Sequence, residues 1–112
     1  MSRIKVIIKR PDEPVGHVAA IAPTLGNLQK LVDGYIETVT IGSVAIICNE
    51  EGRIRGLPYN CTVFGRGFVG TIVIAGTDGD EFGSVPISFN VWKTLLKEGE
   101  AECRKNTLIL RT

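Results

Sequence analysis

Two β-rich segments separated by only two residues constrain the fold of this chain more than any other feature of its sequence. Residues 35–41 and 44–48 are rich in β-branched side chains, and Gly42 and Ser43 lie between them. Glycine at the first central position of a two-residue turn permits the positive φ that a tight hairpin requires. The sequence therefore predicts an antiparallel hairpin and, with it, an antiparallel sheet.

The N-terminal segment has the alternation of a half-buried strand. Apolar and basic side chains alternate over residues 3–9, which is the period of two that a strand with one buried face shows. We expect Ile4, Val6 and Ile8 on the buried face and Arg3, Lys5 and Lys9 on the exposed face.

Other strands are predicted from β-branched density between clusters of turn-forming residues. Residues 69–75 are the densest of these segments and predict a central strand. The remaining predicted strands are residues 17–22, 53–55 and 82–87, with a closing hairpin in residues 101–111 around Lys105 and Asn106.

Two helices complete the predicted elements. Thr24 begins the first helix and Gly34 ends it, whereas Ser88 caps the second helix and Gly99 lies just past its end. Their apolar faces contain Leu25, Leu28, Leu31 and Val32 in the first helix, and Phe89, Trp92, Leu95 and Leu96 in the second. The predicted fold class is α+β: a largely antiparallel sheet of about seven or eight short strands with two helices, in a single domain over residues 1–112.

The charge balance does not support partners that are bound through bulk charge. Thirteen Lys and Arg residues against twelve Asp and Glu give a net charge of +1. Bulk charge of this size supports binding neither to nucleic acid nor to a membrane surface. An anionic partner would need a local patch of positive charge.

The cysteines and the N-terminal segment predict a cytoplasmic location. Cys48, Cys61 and Cys103 are an odd set without CxxC spacing, which predicts neither a disulfide framework nor a zinc site. The first residues lack the apolar stretch of a signal peptide, and no apolar run reaches the ~20 residues that cross a bilayer. The only histidine, His17, has no partner motif, so we predict no catalytic residue, metal ligand or cofactor.

A window of the sequence combines arginines, aromatic residues and glycines without a carboxylate. Between Gly52 and Thr77 there are three arginines and no Asp or Glu. Such groups recognise nucleotides, because guanidinium forks bind phosphates and aromatic rings stack on bases. The candidate ligand-binding residues are Arg53, Arg55 and Arg66 for phosphates, Tyr59 or Phe68 for stacking, Asn60 for the base edge, and Gly67 for close approach of the backbone.

Simpler interpretations of this window stay open. If residues 53–55 form an edge strand, Arg53 and Arg55 are an exposed pair on one face and Ile54 points into the core. Residues 65–70 spell GxGxxG, but a β-branched segment follows instead of the helix that a dinucleotide site requires. In this simpler interpretation the glycines form the flexible connection between the two strands of a hairpin.

Four short motifs carry a resemblance to a known family. They are GYIE at residues 34–37, CNEEG at 48–52, GLPxN at 56–60 and GTxxxxG at 70–76. Their order over about residues 3–77 resembles an uncharacterised small-domain family of phages, plasmids and conjugative elements. The resemblance implies a protein of a mobile element and brings no activity with it.

This context favours a binding protein over an enzyme. The leading hypothesis is sequestration, without catalysis, of an anionic small molecule such as a nucleotide-type host immune signal, a cyclic nucleotide or an ADP-ribose derivative. Inhibition of a host protein by direct contact and hydrolysis of such a signal are the alternatives. We also expect a homo-oligomer, because a pocket between two copies encloses more volume than one small domain offers.

Overall fold

The computed structural model describes residues 2–111, with side chains for residues 2–102, and this part of the chain forms eight strands and two helices. The strands are β1 (Ile4–Lys9), β2 (His17–Ile21), β3 (Ile36–Ile41), β4 (Val44–Asn49), β5 (Tyr59–Val63), β6 (Arg66–Val69), β7 (Ile72–Asp78) and β8 (Glu81–Gly83), and the helices are α1 (Leu25–Val32) and α2 (Phe89–Arg111). Every pairing between these strands is antiparallel. The predicted α+β fold is confirmed.

The main sheet has the strand order β2-β1-β7-β4-β3, and β8 pairs with β7. The predicted hairpin of β3 and β4 is confirmed, with Ile41 opposite Val44 and a φ of 58° at Gly42. The predicted central strand is also confirmed, since β7 lies between β1 and β4. It begins at Ile72 rather than at residue 69, because Gly70 at a φ of 72° separates it from β6.

Both faces of the main sheet are covered, which gives the fold three layers. Helix α1 covers one face, where Leu28 and Val32 pack on the sheet. The separate hairpin of β5 and β6 covers the other face together with α2, through side chains that include Phe68 and Trp92. Of the GxGxxG glycines, Gly65 lies in the turn of this hairpin with a φ of 72°, whereas Gly67 lies within β6 and Gly70 follows it.

Helix α1 has the predicted start and a slightly different end. Thr24 Oγ1 accepts a hydrogen bond from the Asn27 N–H at 3.2 Å and caps the N-terminus. The left-handed position that ends the helix is held by Asp33, with a φ of 61°, instead of by Gly34. Leu25 is 58% exposed, so the buried face of the helix begins at Leu28.

The predicted strand at residues 53–55 is wrong. Consecutive turns run through this segment, and the N–H groups of Arg55 and Gly56 bond to the carbonyls of Glu51 and Arg53 at 2.9 and 3.1 Å. Because these backbone groups are satisfied locally, they pair with no strand. Ile54 is therefore 87% exposed and outside the core.

The predicted end of the second helix and the closing hairpin are also wrong. Helix α2 continues through Gly99 and covers the segment in which the hairpin was expected. Gly99 is a packing residue, since a Cβ at this position would lie 1.6 Å from the Thr62 carbonyl oxygen of β5. The predicted strand at residues 82–87 is shorter than expected and ends at Gly83, before Pro86.

Candidate functional site

One pocket brings together four of the predicted ligand-binding residues. It has a volume of about 230 Å³ and lies where β3, β4 and β6 meet the turns after β4. We call it the arginine pocket, and its main residues are Glu37, Cys48, Arg53, Arg66, Gly67 and Phe68. The turns after β4 contain Arg53, and β6 contains Arg66, Gly67 and Phe68.

The Arg53 guanidinium is hydrogen-bonded to the β5–β6 hairpin at Gly67. Its Nη2 donates a hydrogen bond to the Gly67 carbonyl oxygen at 2.8 Å. A Cβ built on Gly67 would lie 3.8 Å from Tyr59 Cε1, 3.8 Å from Thr62 Oγ1 and 3.9 Å from Arg53 Nη2. The bare backbone of Gly67 thus lies between an aromatic ring, a hydroxyl and a guanidinium.

Arg66 has a carboxylate partner that the sequence window did not include. Its Nη2 lies 3.5 Å from Glu37 Oε1 of β3, and its guanidinium lies 5.8 Å from the centre of the Phe68 ring. The side chains of Arg66 and Glu37 are both nearly half exposed. Ion pairs of this kind contribute roughly 0–1 kcal/mol, so an anion can compete for Arg66.

Arg55 lies with helix α1. Its Nη1 donates to the Asp33 carbonyl oxygen at 2.5 Å, and its Nη2 lies 3.1 Å from Asp33 Oδ2. Arg55 therefore binds Asp33, the C-cap residue of α1. The structure does not bring it together with Arg53 and Arg66. Its predicted contact with a phosphate stays a prediction.

The two candidate aromatic residues differ in their accessibility. Phe68 is 3% exposed, since its ring belongs to the core below the arginine pocket. Tyr59 is 57% exposed, and its hydroxyl lies 2.5 Å from Thr62 Oγ1. Tyr59 is thus the aromatic residue with a face available for stacking.

Asn60 is a buried connection between the β5–β6 hairpin and the main sheet. Its Nδ2 donates to the carbonyl oxygens of Lys9 at 2.8 Å and Gly70 at 2.7 Å. Its Oδ1 accepts a hydrogen bond from Lys9 Nζ at 2.8 Å. Both ends of the amide are therefore occupied, and the predicted contact of Asn60 with a base edge would break these bonds.

A second pocket lies beside Asn60 and contains a lysine that the strand pattern predicted to be exposed. It has a volume of about 290 Å³ and is called here the lysine pocket, with main residues Lys9, Pro11, Glu13, Tyr59, Cys61 and Leu96. Lys9 is 3% exposed. The predicted exposure fails because the hairpin of β5 and β6 covers the end of β1 and supplies Asn60 as an acceptor.

The two thiols at these pockets are held in the protonated form. Burial raises the pKa of Cys48, and the neighbouring Glu37 carboxylate adds to the effect. Burial raises the pKa of Cys61 to about 11, against a smaller opposing effect of the Lys9 charge. A thiol of this kind is a poor nucleophile at neutral pH.

The sequence of the chain matches one known protein family. A family described as "Domain of unknown function (DUF3846)" matches residues 4–96. The chain belongs to the DUF3846 family. The matched residues include all the main residues of both pockets in this DUF3846 domain. Comparisons with curated proteins and with solved structures found no match.

The described part of this DUF3846 domain offers neither a metal site nor a membrane-spanning helix. Within it, no three His, Cys, Asp or Glu side chains are grouped to hold a metal ion. No helix described here is long and apolar enough to cross a membrane.

Proposed function

We propose that this DUF3846 domain binds a small anionic ligand at the arginine pocket and does not transform it. The observation that carries the proposal is the arrangement around Gly67. The Arg53 guanidinium and the exposed Tyr59 ring lie beside this residue without a side chain, and Arg66 lines the same pocket as Arg53 and Gly67. These are the groups that a nucleotide requires for its phosphate and its base.

Arg53 and Arg66 are the phosphate-binding residues in this proposal. Guanidinium groups bind phosphate oxygens through charge-assisted, often bidentate hydrogen bonds. In this proposal the phosphate takes the place of Glu37 beside Arg66, where the exposed ion pair contributes only roughly 0–1 kcal/mol. The ring of Tyr59 then stacks on the base beside the Gly67 backbone.

The size of the pocket supports a ligand that is only partly enclosed by one copy of the chain. Sites for small molecules usually enclose roughly 300–1,000 Å³, whereas the arginine pocket has about 230 Å³. We propose that it encloses the phosphate end of a cyclic nucleotide or an ADP-ribose derivative and that a second copy covers the rest.

The biological setting belongs to the same proposal. We propose a protein of a phage or another mobile element that removes a host immune signal in the host cytoplasm. The reduced state of the buried Cys48 and Cys61 supports a reducing compartment. Sequestration requires no nucleophile, and burial keeps both of these thiols protonated.

Direct contact with a host protein is the second candidate function. Ile54 favours it, because this large apolar side chain is 87% exposed at the tip of the turns beside Arg53. Arg53 and Arg55 flank Ile54, and arginine is enriched among the residues that contribute most to protein–protein binding.

A denature-and-release assay tests the first candidate. The protein is incubated with a panel of cyclic nucleotides and ADP-ribose derivatives, separated from free ligand and denatured by heat, and the released ligand is identified by mass spectrometry. We expect one panel member to bind and to be released intact. Arg53→Ala and Arg66→Ala should lose this binding, and Arg55→Ala tests the predicted contact of Arg55, which would require it to leave Asp33.

The other outcomes identify the alternatives. Release of a degraded ligand would support the hydrolase hypothesis. Absence of any binding, together with capture of a host protein that the Ile54→Asp variant no longer captures, would support protein contact instead.

A further inference from the structure

The buried ammonium of Lys9 is the starting point of this inference. Its Nζ donates hydrogen bonds to Asn60 Oδ1 at 2.8 Å, to the Asn60 carbonyl at 3.4 Å and to the Arg10 carbonyl at 3.5 Å. All three acceptors are neutral. Among the described side chains, no carboxylate lies within ion-pair distance of Nζ.

A buried ammonium without a counterion is an unusual feature. Removing an ammonium from water is costly unless an opposite charge accompanies it, and neutral oxygens replace its hydrogen bonds without balancing its charge. Because Lys9 lines a cavity of about 290 Å³, an anion in that cavity would supply the missing charge.

The Glu13 carboxylate of the pocket is bound to other groups. Glu13 accepts hydrogen bonds from the Arg10 N–H at 3.0 Å and contacts His17 Nδ1 at 2.9 Å. Although its partial burial acts to raise the pKa of Glu13, these contacts lower it overall, so Glu13 is charged and paired at neutral pH. Lys9 therefore does not use Glu13 as its counterion.

The other walls indicate the class of anion. Pro11, Pro14, Tyr59 and Leu96 surround the cavity with apolar surface. Glu13 and Glu100 also line it, and carboxylates in the lining disfavour a dianion such as phosphate more than a monoanion. The walls therefore fit a singly charged group on an aliphatic body.

We infer that the lysine pocket is a second ligand site, which binds the carboxylate of a small aliphatic acid at Lys9 Nζ in place of the long 3.5 Å contact with the Arg10 carbonyl. This site shares the Tyr59 ring with the stacking position proposed above but has its own cation, so its occupation does not require a nucleotide at the arginine pocket.

Titration of the uniformly ¹⁵N-labelled protein with sodium butyrate tests the inference by nuclear magnetic resonance. Butyrate should shift the amide signals of Asn60, Cys61 and Thr62 in a saturable manner. Butyramide has the same shape without the charge, and we expect it to bind at least about tenfold more weakly. A wild-type protein that does not respond to butyrate, or that responds equally to both compounds, would overturn the inference.

Three variants sharpen the test. Lys9→Met should abolish the response, and Leu96→Glu, which keeps Lys9 and Asn60 and adds a carboxylate to the lining of the cavity, should do the same if Lys9→Met fails to fold. Arg66→Ala is the matched control and should respond as the wild type does, since it changes only the arginine pocket. An undiminished response in folded Leu96→Glu would place butyrate elsewhere and contradict the inference.

Discussion

At the scale of single residues, the polar contacts of Asn60 hold the β5–β6 hairpin on the main sheet. We predict that Asn60→Leu lowers the free energy of unfolding by about 3 kcal/mol or more, since it removes three buried hydrogen bonds, to Lys9 Nζ and to two carbonyls, at roughly 1–3 kcal/mol each. Urea denaturation measures the change. The control is Tyr59→Phe, which removes one exposed contact and should cost about 1 kcal/mol or less. Equal losses in the two variants would contradict this role of Asn60.

The Cys61 thiol gives the protein a predicted dependence on alkaline pH. Its pKa is about 11 in the folded protein, above the ordinary value of 9.0, so folding favours the protonated form. The stabilisation is complete below pH 9 and is lost as the pH rises towards 11. We expect the free energy of unfolding of the wild type to fall across this interval more steeply than that of Cys61→Val. Parallel pH profiles would show that Cys61 does not titrate as described.

Individual site residues were predictable to different degrees. The structure brings Arg53, Arg66 and Gly67 into one pocket, because Arg53 precedes the short β5–β6 hairpin and the other two lie in its second strand. Glu37 was missed although the two-residue turn at Gly42 places it opposite Cys48, so the hairpin register was the available signal. The pairing of Arg55 with Asp33 depends on the position of α1 over the sheet, which no local pattern gives.

At the scale of elements, the contact of α2 with β5 depends on Gly99. We predict that Gly99→Ala destabilises the protein although alanine is favoured over glycine in helices by about 1 kcal/mol, because its Cβ would overlap the Thr62 carbonyl oxygen. Gly26→Ala in α1 is the matched control. A Cβ at Gly26 meets nothing within 4 Å, so this variant should raise the free energy of unfolding by about 0.5–1 kcal/mol. Thermal unfolding compares the two, and stabilisation by both substitutions would contradict the close packing of α2.

Sequence patterns were sufficient to predict those secondary-structure elements that depend on local features. The β3–β4 hairpin, α1 and the central strand were predicted because a two-residue turn, a cap and β-branched density are local features. The closing hairpin failed because Gly99 was taken as the end of a helix, whereas it serves a tertiary contact. The exposure of Lys9 failed for a related reason, since a layer distant in sequence covers that end of β1.

At the scale of the whole molecule, we predict a homodimer. The arginine pocket is small and open beside β3, and β3 is the last strand of the main sheet. An outer strand offers backbone groups that a second copy can pair with, which would extend the sheet and cover the pocket. Light scattering should give twice the mass of 12.1 kDa. If the protein is a dimer by this edge, Thr40→Pro should give a folded monomer, and a monomeric wild type at high concentration would contradict the prediction.

Ligand affinity of Gly67→Val tests the central claim most directly. Valine suits a strand, and a Cβ at Gly67 makes only ordinary contacts, so this variant should fold with wild-type stability while its side chain fills the space between Arg53, Tyr59 and Thr62. Isothermal titration with the panel nucleotide that is released intact from the wild type should show an affinity reduced by at least about tenfold. An unchanged affinity in a folded Gly67→Val variant would contradict the claim that this DUF3846 domain binds its ligand at the arginine pocket.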